Sequence, residues 1–339
     1  MKQIAALALL ATAAVTASAQ STVTLFGVID AGVSSVKNGS NTVKSVSKNG
    51  LNTSRFGVRG TEDLGGGLLA SFWIEGGFNP DNGTQSDGTR LWNRRTTASL
   101  IGGFGELRVG RDFAPSYTGW SDFDIFGDNG LAAGGKFNSA VGTNADTLTR
   151  ADNLVTYFTP SKLGGFYGQV SVAPGEGVNG KKYVGGRAGY AAGPLNVSLA
   201  LGQTTVTASA AQPGEDKLKV ITLGASYDLG VAKLTGYYDQ NKYGSLKTTV
   251  YNLGVSVPVS ALGSVRASYA KLNASGLTSN ANDASQIALG GVYNLSKRTA
   301  LYTTVSRVNN KGGAAYAVGG TAVAGTKSTG YELGFRHAF

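Results

Sequence analysis

Arginine is the residue type whose spacing in this chain most clearly points to chemistry. Arg55 and Arg59 lie in the segment "SRFGVRG", where they share the face opposite to that of Phe56. Arg150 takes the corresponding face in a later alternating segment, "RADNLVTYF". A guanidinium stays charged at any ordinary pH, and its planar fork suits carboxylates and phosphates. The pattern therefore predicts a basic wall that attracts anions.

Acidic residues that could oppose this wall are concentrated in residues 112–149, which contain Lys136 as their only base. A connection of this length inside a compact fold usually has a function. We interpret it as the acidic partner of the basic wall. The alternatives are a solvated acidic loop and a shared Ca²⁺ site, although no glutamate follows at EF-hand spacing. The acidic candidates in this segment are Asp122, Asp124 and Asp128.

Two glutamates on other alternating segments complete the candidate site. Glu75 shares a face with Trp73, and Glu106 shares a face with Arg108. We expect these carboxylates to hold the basic residues apart through ion pairs. No metal is required by this arrangement.

The sequence offers little for catalysis. It contains no cysteine, which excludes disulfides, thiol catalysis and thiolate metal sites. The single histidine, His337, lies two residues from the end of the chain on an apolar face, where a catalytic constellation is not expected. We predict that the protein is not an enzyme and needs no cofactor.

The candidate side chains need elements that bring them to one surface, and the start of the chain indicates the compartment. Residues 1–19 combine Lys2, an apolar run and the small residues "ASA", which is typical of a secretory leader cleaved before Gln20. The run is too short to span a bilayer, which takes about 20 apolar residues. No later segment has the length and apolarity of a helical anchor. Membrane binding would therefore require a β-barrel, formed by residues 20–339.

Alternation with a period of two recurs along this region in segments of about ten residues, the length of a tilted membrane strand. Ile221, Leu223 and Tyr227 share one face in "ITLGASYDL". A soluble sandwich also alternates, but aromatic residues near the segment ends favour a membrane barrel. The last segment has the same form, and its outward face carries Tyr331, Leu333, Phe335 and the terminal Phe339.

Short and long connections alternate between these segments. Seven short turns would lie on one side of the barrel. Eight longer loops would lie on the other, near residues 36–50, 79–88, 112–149, 174–181, 204–216, 241–246, 274–283 and 309–327. The fold class predicted is all-β, a transmembrane antiparallel 16-stranded β-barrel that is wide enough to enclose an aqueous channel.

Four segments together resemble a known family. They read "STVTLFGVIDAGV", "SRFGVRGTEDLGGGLLASFWIEGGF", "FGELRVGRD" and, at the end, "GFRHAF". They are similar to the general diffusion porins of Gram-negative β-proteobacteria, the trimeric sixteen-strand outer-membrane type, and the similarity extends from Ser21 to Phe339. The third loop departs from the enteric porin text and reads "PSYTGWSDFDIFGDNG".

The resemblance implies an inward-folded third loop that narrows the channel, a homotrimer, and a terminal strand that the barrel-assembly machinery reads. It also implies that Arg94 joins Arg55 and Arg150 in one row. The three would lie near the start of every second strand. Neighbouring arginines would then be two strand spacings of about 4.8 Å apart, or about 10 Å. Opposite an acidic loop, such a row would create a transverse field that favours anions.

The function predicted is passive diffusion of small hydrophilic solutes and ions through a water-filled outer-membrane channel with a mild anion preference. Outer-membrane lipid and lipopolysaccharide are the expected surroundings. The alternatives are a substrate-specific channel and a surface adhesion or structural barrel. The net charge of +10 does not predict nucleic-acid binding, because the basic residues form neither a cluster nor a recognition helix.

Overall fold

The computed structural model describes residues 21–210, 212–276 and 282–339. The predicted leader, residues 1–19, lies outside them. Within the described residues, no helix has both the length and the apolarity that a membrane span requires.

Seventeen antiparallel strands form one sheet in the described part of the chain. In chain order they are β1 (Thr22–Asn38), β2 (Asn41–Lys48), β3 (Arg55–Gly65), β4 (Leu68–Gly77), β5 (Arg95–Gly102), β6 (Gly105–Phe113), β7 (Arg150–Phe158), β8 (Phe166–Ala173), β9 (Tyr183–Ala192), β10 (Leu195–Thr205), β11 (Lys217–Asp228), β12 (Lys233–Tyr243), β13 (Leu246–Pro258), β14 (Gly263–Ser275), β15 (Ala284–Asn294), β16 (Thr299–Asn310) and β17 (Lys327–Ala338). The connections, as far as the structure describes them, contain one α-helix, α1 (Pro115–Ser121), and three short 3-10 turns, Gly130–Ala132, Gly134–Phe137 and Gly175–Gly177.

Sixteen of the strands close a ring. Consecutive strands from β3 to β17 pair with one another, and β1 pairs with β17 on one side and with β3 on the other. The chain end completes the seam, because Gly27 and Phe339 exchange two backbone hydrogen bonds of 3.0 Å. A closed ring leaves no unpaired edge in lipid. The prediction of sixteen barrel strands is confirmed.

β2 is an additional strand that the sequence patterns did not reveal. Residues 36–50, predicted as a loop, extend β1 to Asn38 and return as β2 along it. The turn uses Gly39 at φ 59°, a left-handed conformation that glycine adopts without a steric penalty. Residues 241–246, also predicted as a loop, form a tight turn between β12 and β13 with Gly244 at φ 57°.

Alternate residues of the barrel strands face different surroundings. In β11, Ile221 and Leu223 are 40% and 50% exposed, whereas Val220 and Thr222 on the other face are 6% and 0% exposed. Exposed apolar side chains mark the lipid-facing surface of a barrel, and the opposite face lines the interior. The alternation therefore assigns each strand residue to lipid or to the interior.

The connection between β6 and β7 lies against the inner face of the distant wall. Helix α1 packs on β8 to β12, and the 3-10 turn Gly130–Ala132 packs on β15 to β17. Two inner-face glycines allow this close approach, because a Cβ at Gly224 would lie 2.0 Å from the ring of Phe123, and one at Gly290 would lie 2.7 Å from that of Phe126. The third loop thus crosses the interior of the ring.

Candidate functional site

The candidate site begins with two arginines that share one carboxylate. Arg55 is the first residue of β3, Arg94 directly precedes β5, and Glu75 lies on the inner face of β4 between them. Arg94 Nε lies 2.5 Å and Arg55 Nε lies 3.6 Å from Glu75 Oε1. Trp73 Nε1 donates to the other oxygen of Glu75 at 3.0 Å. Glu75 is thus fixed by three side chains and lies between two positive charges.

Arg150, the first residue of β7, completes what we call the arginine row, Arg55, Arg94 and Arg150. Its Nε donates to the carbonyl oxygen of Arg94 at 2.7 Å, and its guanidinium lies 4.0 Å from the ring centroid of Phe113. Within the described ranges, no acidic side chain pairs with Arg150. The side chains of the row therefore approach more closely than their strand spacing of about 10 Å, and Arg150 keeps its charge unneutralised.

The other two predicted basic residues lie beside the row. Arg59 lies over the rings of Phe26 and Trp73, at 5.3 and 4.9 Å from their centroids. Arg108 pairs with Glu106 at 2.8 Å and with Asp112 at 2.6 Å. Glu106 therefore neutralises Arg108, and the structure does not bring it to the arginine row.

The structure adds basic residues that sequence reasoning missed. Asp152 forms ion pairs with three basic residues. The N···O distances are 2.5 Å to Arg111, 3.3 Å to Arg90 and 3.7 Å to Lys181. Simple alternation places Arg111 on the lipid face, opposite to Arg108. An irregular register between Gly110 and Asp112, with Gly110 at φ 127°, breaks this alternation and lets Arg111 pair with Asp152. The glycine in "RVGRD" is the sequence feature from which this irregular register could have been predicted.

Arg95 and Arg187 were also missed. Arg95 lies 4.6 Å from the ring centroid of Trp73 and 3.5 Å from Asp112. Arg187, on β9, pairs with Asp122 of the third loop at 2.6 Å. Asp122 thus faces a basic residue of the far wall, and this pair fastens the loop there.

The Asp124 carboxylate is bonded mainly within its own loop. It is 6% exposed, and its two oxygens accept hydrogen bonds of 2.9 to 3.1 Å from three backbone amides of its own loop. Burial raises the pKa of this carboxyl. The carboxylate oxygens of Asp124 therefore stabilise the fold of the loop, and its role as a charge of the constriction stays a prediction.

Asp128 lies between the loop and the arginine row. Its carboxylate accepts from Tyr117 Oη at 2.9 Å and from the amide of Gly135 at 2.7 Å. Tyr117 stacks on Phe113 with ring centroids 4.9 Å apart, and Phe113 carries Arg150 on its ring. Burial and the neighbouring Asp124 raise the pKa of Asp128 to about 6. The stacked rings of Tyr117 and Phe113 thus connect the Asp128 carboxylate to Arg150 of the arginine row.

The same loop contains a buried base. Lys136 Nζ donates to the carbonyl oxygens of Leu131 at 3.3 Å and of Ala133, and to Gln286 Oε1 on β15 at 3.3 Å. Burial lowers its pKa to about 8. Among the described residues, no group of three or more His, Asp or Glu side chains is arranged to hold a metal ion.

The terminal strand presents the predicted apolar face. Tyr331, Leu333, Phe335 and Phe339 are exposed on the outer surface of the barrel. His337 is half-buried beside them, and its Nδ1 lies 2.9 Å from Thr299 Oγ1 on β16. The proposed reading of this strand by assembly machinery stays a prediction.

A barrel of sixteen strands with arginines inside it can be compared with known proteins. A family model described as "Gram-negative porin" matches residues 5–313. The chain belongs to the Gram-negative porin family. This porin is 40% identical to Outer membrane porin protein 32 of Delftia acidovorans, over 100% of this chain and 99% of the relative. It is 32% identical to an outer membrane porin protein of Bordetella pertussis, over 100% of both chains.

Solved structures agree with this membership. The anion-selective porin from Comamonas acidovorans superposes on this porin with a TM-score of 0.86 at 38% identity, covering 94% of this chain and 100% of that one. The trimer form of OmpT of Vibrio cholerae has a TM-score of 0.69 at 15% identity, covering 94% and 99% of the two chains, and shows the fold alone. The porin is an outer-membrane protein that forms a transmembrane channel.

Proposed function

We propose that this porin lets small hydrophilic solutes and ions diffuse passively through the outer membrane, with a preference for anions. The observation that carries the proposal is the arginine row, three positive charges inside the ring for which Glu75 is the only carboxylate partner among the described residues. A fixed excess of positive charge in a narrow aqueous passage lowers the energy of an anion and raises that of a cation. The Comamonas relative, whose title names it anion-selective, supports the same preference.

The arrangement suits passage better than catalysis. Most interior carboxylates are held by arginines or by backbone amides, and the single histidine lies on the outer surface. We therefore propose that the porin performs no reaction and uses no cofactor or metal.

We also propose how the porin is exported and assembled. Residues 1–19 would direct export and be removed, and barrel-assembly machinery would recognise the terminal strand. Outer-membrane lipid and lipopolysaccharide would contact the apolar outer face. We propose a homotrimer, the assembly that the resemblance of the four sequence segments implies; OmpT of Vibrio cholerae, which shares the fold, was solved in a trimer form.

Reconstitution in a planar bilayer tests the channel and its preference together. We expect ohmic conductance steps that appear in groups of three, because each monomer would carry its own passage. The zero-current potential across a KCl gradient should have the sign of chloride preference. A folded barrel without steps would indicate a plugged or adhesive protein, and potassium preference would contradict the role given to the arginine row. Conductance that saturates with one solute would favour the substrate-specific alternative.

The raised pKa of Asp128 predicts a pH-dependent selectivity. With a pKa of about 6, this carboxyl is mostly ionised at pH 7 and mostly protonated at pH 5. Acidification removes one negative charge from the third loop, so anion preference should increase as the pH falls through about 6. The zero-current potential at pH 7 and pH 5 measures the change. Asp128→Asn should flatten this dependence, and a variant that titrates like the wild type would assign it to another group.

A further inference from the structure

An interior recess lies on the short-turn side of the third loop, apart from the arginine row. Its volume is about 450 Å³. Residues 124–127 of the loop form one side, and Arg266 and Arg336 line the barrel wall. Arg266 lies near the start of β14, just after a short turn, and Arg336 lies two residues before the end of β17. Both arginines therefore belong to the end of the barrel where the short turns are.

Arg336 has an acidic neighbour whose oxygens are already used. The strand register places it opposite Asp30 of β1. The Asp30 carboxylate accepts hydrogen bonds of 2.7 to 3.0 Å from the three amides of residues 50–52 and one of 2.6 Å from Tyr302 Oη. Within the described chain, the Arg336 side chain forms neither an ion pair nor a hydrogen bond, and its Nε is buried.

Arg266 is similarly short of acceptors. Its Nη1 donates to the carbonyl oxygen of Ile125 at 3.3 Å, its guanidinium lies 4.8 Å from the ring centroid of Phe126, and its Nε is buried without a partner. The acid that lines the recess is Asp124, and the backbone amides of the loop occupy its oxygens. The Asp124 carboxylate is close enough to attract the Arg266 guanidinium, but the two form no ion pair within the described residues. Arg266 and Arg336 thus both line the recess, and neither guanidinium forms an ion pair in the part of the chain that the structure describes.

Most other interior arginines have a carboxylate partner. Those with a carboxylate partner are Arg55, Arg94, Arg95, Arg108, Arg111 and Arg187. A guanidinium binds anionic oxygens more strongly than neutral acceptors. Arg266 and Arg336 line one recess, and neither forms an ion pair within the described residues, so their side chains form a positively charged surface that suits an anionic group.

We infer that this recess is a second anion-binding site, in which Arg266 and Arg336 hold the carboxylate or phosphate group of a passing solute. The inference rests on the proposed function, because the solute must enter the channel. Arg336 is close enough to Arg55 for their charges to repel, and only β1 separates their strands. The site thus continues the arginine row toward the short-turn side and would receive an anion that leaves it.

Block of the chloride current by inorganic phosphate, measured in planar bilayers, tests the site. Phosphate held in the recess should reduce the current, and its half-blocking concentration measures the affinity. The double variant Arg266→Gln/Arg336→Gln removes two charge-assisted donors, so this concentration should rise by about tenfold or more. The double lysine variant keeps the charges but loses the planar forks, and its block should be intermediate.

Arg298→Gln is the matched control. Arg298 carries one positive charge in the short turn before β16, at the same end of the barrel, and does not line the recess. We expect its half-blocking concentration to stay within about twofold of the wild type, since screening in salt limits charges outside the recess. Arg336 lies in the terminal strand, so the single variant Arg266→Gln, with an expected rise of about threefold, keeps the test valid if assembly of the double variant fails.

The outcomes separate this inference from the proposed function. A double variant that is blocked like the wild type, or a wild type that phosphate does not block, overturns the recess as a binding site. Chloride preference is measured separately, from the zero-current potential of the wild type in KCl without phosphate. Chloride preference without recess-dependent block would overturn this inference alone.

Discussion

Replacing Arg55, Arg94 and Arg150 together by glutamine should convert the channel from anion preference to cation preference. The row contributes three positive charges, and in the part of the chain that the structure describes Glu75 is the only acid paired with it. Two unit charges about 4 Å apart in water interact by about 1 kcal/mol. Loss of three such charges should therefore lower the chloride-to-potassium permeability ratio by at least about tenfold. The zero-current potential across a KCl gradient measures this ratio.

The single variants should not be equivalent. Arg55 and Arg94 share Glu75, whereas Arg150 contacts a ring and a carbonyl oxygen and has no acidic partner in the described ranges. Arg150→Gln should therefore change the permeability ratio more than Arg55→Gln. Glu75→Gln should act in the opposite direction and increase anion preference. Equal effects of the two single arginine variants would contradict a field set by pairing with Glu75.

The triple variant leaves Glu75 largely buried without its two positively charged partners, and only Trp73 still donates to it, which is itself destabilising. Adding Glu75→Gln to the three substitutions separates selectivity from this effect, because it removes the unpaired charge. Arg307→Gln is a matched control, since Arg307 is exposed on the outer face of β16 and its Nε contacts only Asn309, at 3.3 Å. The control should keep the wild-type ratio. An unchanged ratio in the quadruple variant would exclude the arginine row as the selectivity filter.

Asp30→Ala should release residues 49–54 from the barrel wall. This fully buried carboxylate accepts hydrogen bonds from the amides of Gly50, Leu51 and Asn52 and from Tyr302 Oη. Each buried donor left without an acceptor costs about 1–3 kcal/mol, and loss of a buried charged partner costs about 3–5 kcal/mol in total. Hydrogen exchange at these three amides should therefore accelerate by about a hundredfold or more.

The release should reach the arginine row, because residues 49–54 lead directly into Arg55. Ser54 bridges the backbone of Asp30 with its hydroxyl, at 3.0 Å in both directions, and Arg55 Nη1 donates to the carbonyl oxygen of Thr53 at 3.1 Å. Thr53 in turn donates to Asn129 of the third loop at 3.2 Å. We expect a broader distribution of conductance levels in the variant.

Asp63→Ala provides the comparison for Asp30. Asp63 lies near the exposed end of β3 and accepts one hydrogen bond, from the amide of Gly65 at 2.8 Å. Its loss should leave exchange at residues 50–52 unchanged. Tyr302→Phe removes one of the four donors to Asp30 and should give a smaller effect than Asp30→Ala. Wild-type exchange rates in Asp30→Ala would show that the segment is held by other contacts.

Local patterns in the sequence determined the fold of this porin. A side-chain period of two assigns each residue to lipid or to the interior wherever a strand is regular. It therefore predicted the sixteen barrel strands and the inward faces of Arg55 and Glu75. The resemblance added Arg94, which the alternation of its own segment did not place. The segments around Gly39 and Gly244 were predicted as loops but form tight turns, because glycine is common in loops and in tight turns alike.

Only the tertiary structure decided how the interior charges pair. Asp30 and Tyr302 are 272 residues apart and meet because the ring closes at β1 and β17. The irregular register beside Gly110 turns Arg111 toward Asp152, and the fold of the third loop occupies Asp124 with backbone amides. Period two is a property of neighbouring residues, whereas neutralisation of a charge depends on partners that strand register and loop packing bring together. The sequence therefore identifies which residues are charged, and the closed barrel decides which of those charges an anion meets.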